Sequence, residues 1–170
     1  MLKEQIASGL ENALSQQGFV EPSVSDLQNA SGVSLRTLYR HFPSKEAMVI
    51  GALEHRHARY LDFLADCAPL PGVNAITDLF ERLAGWMETE APHGCMSMSA
   101  FAAFPGNARI DESVKGHKSE IRQLLATQSG REDRANELFL LHEGVSMAWP
   151  TQGSKAIQAA QKAALYLLKE

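Results

Sequence analysis

The sequence predicts an all-α protein of about nine helices. Three observations carry that prediction. Apolar residues recur at helical spacing along the chain, and no stretch shows the alternation of a half-buried strand. The prolines fall between these periodic segments, where helices start and stop. Ser23, Ser34 and Ser44 each stand where a helix N-terminus needs a side-chain acceptor.

The elements follow in order. Ile6, Leu10, Ala13 and Leu14 mark a first helix, with Gly18 placed as its C-terminal glycine. Pro22 and Ser23 open a short second helix carrying Val24 and Leu27. Gly32 breaks the chain, and Ser34 caps a third helix from Leu35 to His41. Pro43 ends it, because proline disfavours helical backbone in the residue before it. Ser44 caps a longer fourth helix reaching about Ala65, with Glu46 in its first turn, where the helix dipole favours an anion. Pro69, Pro71 and Gly72 form the clearest break in the chain.

Beyond it, Ile76, Leu79, Phe80, Leu83, Trp86 and Met87 predict a strongly amphipathic helix ended by Pro92 and Gly94. Met96 to Phe104 is short and almost wholly apolar, closed by Pro105 and Gly106. Ile110, Val114, His117, Ile121, Leu124 and Leu125 mark a helix ending at Gly130. Ala135, Leu138, Phe139, His142, Val145 and Trp149 mark the next. Pro150 and Gly153 are expected to separate it from a last helix with Ile157, Ala160, Ala164, Leu167 and Leu168. There are no internal repeats and no low-complexity tracts.

A chain of 170 residues is long enough for one sizeable core, or for a small domain joined to a larger one. The formal net charge is −4, but it is unevenly spread. From Arg36 to Arg59, five basic residues face two acidic ones, a local +3 that leaves −7 on the remainder. Such a patch on an acidic body suits a protein that meets phosphate at one end. Cys67 and Cys95 form no disulfide framework and lack metal-ligand spacing. Cys95 could be a redox or electrophile sensor, but with no basic residue beside it in sequence a buried, inert thiol is the expected case. The segment Met1–Gly18 is amphipathic and is not a secretory signal, and no run approaches a membrane span of about 20 apolar residues. A cytoplasmic protein is expected.

Residues 31–48 read Ser-Gly-Val-Ser-Leu-Arg-Thr-Leu-Tyr-Arg-His-Phe-Pro-Ser-Lys-Glu-Ala-Met. They hold what the second half of a helix-turn-helix needs: a glycine turn, a short two-sided helix, and a proline stop before a new helix. Val33, Leu38 and Phe42 are the buried side. Ser34, Leu35, Arg36, Thr37, Tyr39, Arg40 and His41 are the exposed side. Arginine can pair with guanine O6 and N7, serine and threonine can read several bases, and an apolar side chain can meet a thymine methyl. Tyr39, His41 and Lys45 suit phosphate contacts that fix register, although Tyr39 could equally be a packing aromatic. Arg56 and Arg59 are expected to be solvated or paired rather than on DNA.

Nothing supports an enzyme. His55 and His57 are two apart and point in nearly opposite directions on a helix. The chain has no His-Glu-x-x-His, no phosphate-cradling glycine loop and no nucleophile elbow. No catalytic residue, metal site or cofactor is expected.

The pattern Gly-Val-Ser-x-x-Thr-Leu-Tyr-x-His-Phe-x-Ser-Lys-Glu-x, ungapped at Gly32 to Ala47, resembles the tetracycline-repressor-like (TetR) family of bacterial transcription regulators. Gly18-Phe19 and Ser23-Val24 extend the resemblance, which spans roughly Ile6 to Leu64. It implies an N-terminal three-helix DNA-binding domain and a helical ligand-binding and dimerisation body, here drawn as residues 1–46 and 47–170, with helix 45–65 linking them. It implies DNA-facing roles for Ser23, Ser34, Leu35, Arg36, Thr37, Tyr39, His41 and Lys45. One departure stands out. The family commonly has a small residue where this chain has Gln28, so Gln28 must turn outward or widen the packing of the motif helices.

In the body, Gly94-Cys95 resembles the step before the sixth helix of some members. Trp86, Met87, Met96, Met98, Phe101 and Phe104 are the candidates to line an apolar pocket, with ordinary core as the alternative for each. His142 is a further pocket candidate, though a core histidine is the commoner case. Gly144, Ser146, Ala148, Ala159, Ala160, Ala163 and Ala164 keep the last two helices slim, which suits a four-helix dimer interface. The expected function is a homodimeric repressor, released from a palindromic DNA operator by a small apolar ligand. The alternative is an activator, or a protein that acts through a protein partner without an inducer.

Overall fold

The computed structural model describes residues 1–65 and 70–169, so Cys67 and Pro69 lie outside the described residues. Among the described residues there are nine α-helices and no strand. They are α1 (Leu2–Gln17), α2 (Val24–Ser31), α3 (Leu35–His41), α4 (Lys45–Ala65), α5 (Val73–Thr89), α6 (Met96–Ala103), α7 (Ala108–Ser129), α8 (Ala135–Gln152) and α9 (Ser154–Lys169). A single 3-10 turn, Glu132–Arg134, precedes α8. No helix is long and apolar enough to cross a membrane, and no group of His, Cys, Asp or Glu could hold a metal ion, among the described residues.

Contacts divide the chain into two compact units. One comprises Met1–Arg59 with Met96–Gly116, the other Tyr60–Cys95 with His117–Glu170. The boundaries fall inside α4 and α7, and α6 belongs with the N-terminal helices.

The core of the first unit is built from Ile6, Leu10 and Leu14 of α1, Leu27 of α2, Leu38 of α3, and Met48, Val49 and Leu53 of α4. Ala100, Ile110 and Val114 complete it, and Phe104 meets Phe19 edge-on with ring centroids 6.2 Å apart. Gly9 permits the close approach of α1 to α2: a Cβ there would lie 2.4 Å from the Ala30 carbonyl oxygen. One carboxylate is buried in this unit. Glu11, 2% exposed, accepts from Arg56 at 3.0 Å and Arg59 at 2.7 Å and meets His55 Nδ1 at 2.6 Å. A carboxylate out of water is tolerated only with such compensation.

The second unit packs α5 through Ile76, Leu79, Phe80 and Leu83 against Ile121, Leu125, Leu138, Ile157, Ala160 and Ala164. Pro150 does not separate α8 from α9 as expected; α8 runs through it to Gln152. Proline costs a helix one N–H bond and crowds the carbonyl four residues back. Two residues from the helix end, that cost falls only on the last turn. Gly153, at φ 51°, makes the actual stop.

Candidate nucleic-acid interface

The interface is assembled by local caps. Ser23 accepts from the Asp26 amide at 3.2 Å, and Asp26 accepts in return from the Ser23 amide at 2.8 Å. This reciprocal box fixes the start of α2. The Ser23 hydroxyl, donating to Asp26 at 2.6 Å, and then the Ser23 amide hold the Asp26 carboxyl below its ordinary pKa. Gly32 ends α2 in the left-handed region, φ 67°, which a side chain would resist. Ser34 accepts from the Thr37 amide at 3.2 Å, and the two hydroxyls lie 3.0 Å apart. Ser44 accepts from the Ala47 amide at 3.0 Å and starts α4.

Gln28 is half-buried rather than turned freely to solvent. Its amide donates to the Val33 carbonyl at 2.8 Å, so the side chain ties α2 to the turn.

The result is a sharply two-sided α3. Leu38 and Phe42 are buried at 0% and 4% exposure. Leu35 and Tyr39 point outward at 48% and 41% exposure. Ser23, Ser34, Arg36 and Arg40 are exposed, while Thr37, His41 and Lys45 are half-buried. The Nε2 atom of His41 is buried and has no hydrogen-bond partner among the described residues. Arg56 and Arg59 are engaged by Glu11, and Glu46 by Arg109 at 2.7 Å. The basic patch counted in sequence thus narrows to Arg36, Arg40 and Lys45.

The seven pocket candidates divide between the two units. Trp86, Met87 and His142 are buried in the second unit. Met96, Met98 and Phe104 join the core of the first, and Phe101, in the same unit, is 36% exposed. His142 sits in a polar chain that the sequence does not reveal. The Tyr60 hydroxyl meets His142 Nε2 at 2.6 Å, and His142 Nδ1 meets Glu143 at 3.1 Å. Lys118 donates to Glu143 at 2.9 Å and to Cys95 Sγ at 3.2 Å. Cys95 therefore does have a basic neighbour, contrary to expectation; Lys118 lies a helix away in sequence.

Burial pulls His142 below the ordinary imidazole pKa, with Glu143 opposing only in part. The ring is neutral, donating from Nδ1 to Glu143 and accepting at Nε2 from Tyr60. Burial likewise drives the Tyr60 hydroxyl well above its usual value. Burial lowers Lys118 too, but Cys95 and Glu143 outweigh it and leave the ammonium above its usual pKa. Trp86 stacks obliquely on Tyr60, with centroids 4.9 Å apart, and on Phe63, at 5.5 Å. Tyr60 and Phe63 were not among the expected pocket residues. Their spacing of three on α4 is the one hint the sequence offers.

Residues 6–52 match the family model for bacterial regulatory proteins of the tetR family. The chain is similar in structure to reduced NemR of E. coli, at 18% identity and TM-score 0.83, covering 99% of this chain and 98% of that one. It is similar to SCO4454, a TetR-family transcriptional regulator of Streptomyces coelicolor, at 15% identity and TM-score 0.82, with 99% and 98% covered. It is also similar to Salmonella enterica GusR, at 20% identity and TM-score 0.73, with 99% and 96% covered. At such identities the likeness is one of fold. No curated protein matches the chain in sequence. The capped, two-sided α3 lies within the segment that matches the tetR-family model, and the whole chain shares the fold of solved TetR-family regulators.

Proposed function

We propose that the chain is a homodimeric repressor that reads a palindromic operator and leaves it when a small apolar ligand enters its body. Residues 1–46 form the reading domain and 47–170 the body. The observation that carries the reading is the outward face of α3: a leucine and a tyrosine held in solvent beside Arg36 and Arg40, with nothing of the fold to gain from their exposure. Leu35, Arg36 and Thr37 are assigned to base edges, and Ser23, Ser34, Tyr39, Arg40, His41 and Lys45 to the surrounding contacts and phosphates.

Dimerisation through α8 and α9 is supported by Leu140 at 68%, Met147 at 62% and Tyr166 at 62% exposure. Leu140 and Met147 are seven residues apart and share one face of α8. A two-fold pair places two reading heads on half-sites about 34–36 Å apart, or a multiple of that. The inducer side of the body is assigned to Trp86, Met87 and His142. The ligand must bind the non-DNA spacing of the heads better than the DNA-competent one, with α4 as the linking element.

The test is binding to duplex from the protein's own upstream region, against random duplex, across a salt series. A steep salt slope and a large preference for the upstream duplex are expected. Equal affinity for both duplexes would sink the reading. Arg36→Ala is expected to cost about 1–3 kcal/mol at one base position per half-site, whereas Lys45→Ala weakens all sequences alike and lowers the salt slope by about one.

A further inference from the structure

The first unit holds a cavity of about 630 Å³ whose lining shares only His41 with the roles above. Its apolar walls are Ala7 of α1, Phe42 and Pro43 after α3, and Ala47, Ile50 and Ala58 of α4. The volume lies within the range of small-molecule sites, roughly 300–1,000 Å³. Gly51 shapes the wall. A Cβ there would come within 2.2 Å of the Phe42 ring, so a larger residue would displace that ring.

The polar groups of the rim are mostly committed elsewhere. Glu4 is held by the Met1 amine at 2.6 Å, Glu54 by Ser113 at 2.9 Å, His55 by Glu11 and Arg109 by Glu46. Two are not. Lys3 has no carboxylate partner among the described residues; its ammonium stands 5.7 Å from the centroid of the Phe42 ring. His41, also in the lining, is the residue whose Nε2 is buried without a partner. A cation and the His41 ring therefore border an apolar, aromatic floor.

We propose that this cavity is a second small-molecule site, built into the first unit, for a flat aromatic carboxylate whose ring lies against Phe42 and Ile50 and whose carboxylate meets Lys3 beside the His41 ring. A charge-assisted contact to Lys3 gives the anion its preference over a neutral analogue. The site stands independently of the repressor reading. Only its consequence for DNA rests on that reading: an occupant touches the His41–Pro43 end of α3, and any effect on operator affinity must be returned in equal measure on the ligand.

The experiment is calorimetric titration of the full chain, without DNA, with 2-naphthoate and with its neutral counterpart 2-naphthalenemethanol. Saturable naphthoate binding is expected, tighter than that of the alcohol. Lys3→Met should weaken naphthoate about tenfold and leave the alcohol within about twofold. Ala58→Trp, placed at an exposed position on the cavity wall, should weaken both about tenfold or more. Both substitutions are at exposed positions, and thermal melts confirm that each variant is folded. No saturable binding up to about 1 mM overturns the site. So does binding that Ala58→Trp leaves unchanged. Naphthoate affinity unmoved by Lys3→Met overturns the carboxylate assignment. A chain that binds naphthoate as described but prefers no duplex over another refutes the repressor reading and leaves the site standing.

Discussion

The two compact units place their polar groups by opposite rules. In the first, the polar groups that start and stop helices act over three to five residues: Ser23 with Asp26, Ser34 with Thr37, Ser44 with Ala47, Gln28 with Val33. In the second, the partly buried chain from Tyr60 through His142, Glu143 and Lys118 to Cys95 gathers residues up to 82 apart. The first unit uses local bonds to present a surface outward. The second uses long-range bonds to keep polar groups inside. The difference teaches where a reader of sequence can trust the pattern: a cap is chemistry between near neighbours, and a buried network is chemistry between helices.

Glu46, Glu54 and Glu11 all bond across helices in the first unit, and Glu11, the buried one, gives the largest expected effect. Glu11 is buried, and its partners lie 44 to 48 residues away. Glu11→Ala should destabilise the protein by about 3 kcal/mol, because it strands Arg56 and His55 in a poorly solvated seam. Arg59 is better exposed and can turn to water. Urea unfolding measures the loss. A change under about 1 kcal/mol would show that the seam is wetter than its geometry implies.

Gly9→Ala comes next. A methyl group 2.4 Å from the Ala30 carbonyl oxygen must push α1 from α2. The overpacking, less the helix propensity that alanine adds, leaves a net cost of about 2 kcal/mol. Operator affinity should fall with it, since α2 supports α3. A variant as stable as the parent would mean that the two helices can slide apart freely.

Gln28→Ala tests the local rule at its weakest point. Losing the bond to the Val33 carbonyl should cost about 1 kcal/mol. A stabilised variant would mean that a small residue packs better there and that the glutamine bond is only a makeshift.

The smallest effect at neutral pH belongs to His142, and it grows as pH falls. Its folded pKa lies below 6.5, so between the two values the unfolded chain binds the proton and the folded chain does not. Stability from this group is complete above about pH 6.5 and drains away below it. Glu143, also lowered by its neighbours although burial opposes them, and Asp133, held at about 2 chiefly by Arg131, act only at lower pH, below 4.5. His142→Gln should flatten the stability profile between pH 5 and 7. An unchanged slope would assign that acid sensitivity to another group.

The helices, their order and most of their ends were legible because they rest on periodicity and on caps within one turn. The two-sided α3 was legible for the same reason. Pro150 misled because a stop signal in the last turn of a helix costs little, and only packing decides whether the helix continues. Arg56 and Arg59 are paired, as the sequence leads one to expect, but their partner Glu11 comes from another helix and no local spacing names it. The pocket candidates were chosen by residue type, and residue type does not say which core an apolar side chain joins. Met96 and Trp86 are ten residues apart and lie in different cores.

What the amino-acid order settled, then, is everything whose cause lies within a helical turn: the all-α class, the turn at Gly32, the caps, and the outward set from Ser34 to Arg40. Only the folded chain could decide which charges neutralise one another, that Gln28 bonds the Val33 carbonyl, that Lys118 stands beside Cys95, and that Gly51 opens a cavity against Phe42. Those outcomes depend on contacts between helices. Such contacts follow from the packing of the whole core, which no local spacing encodes.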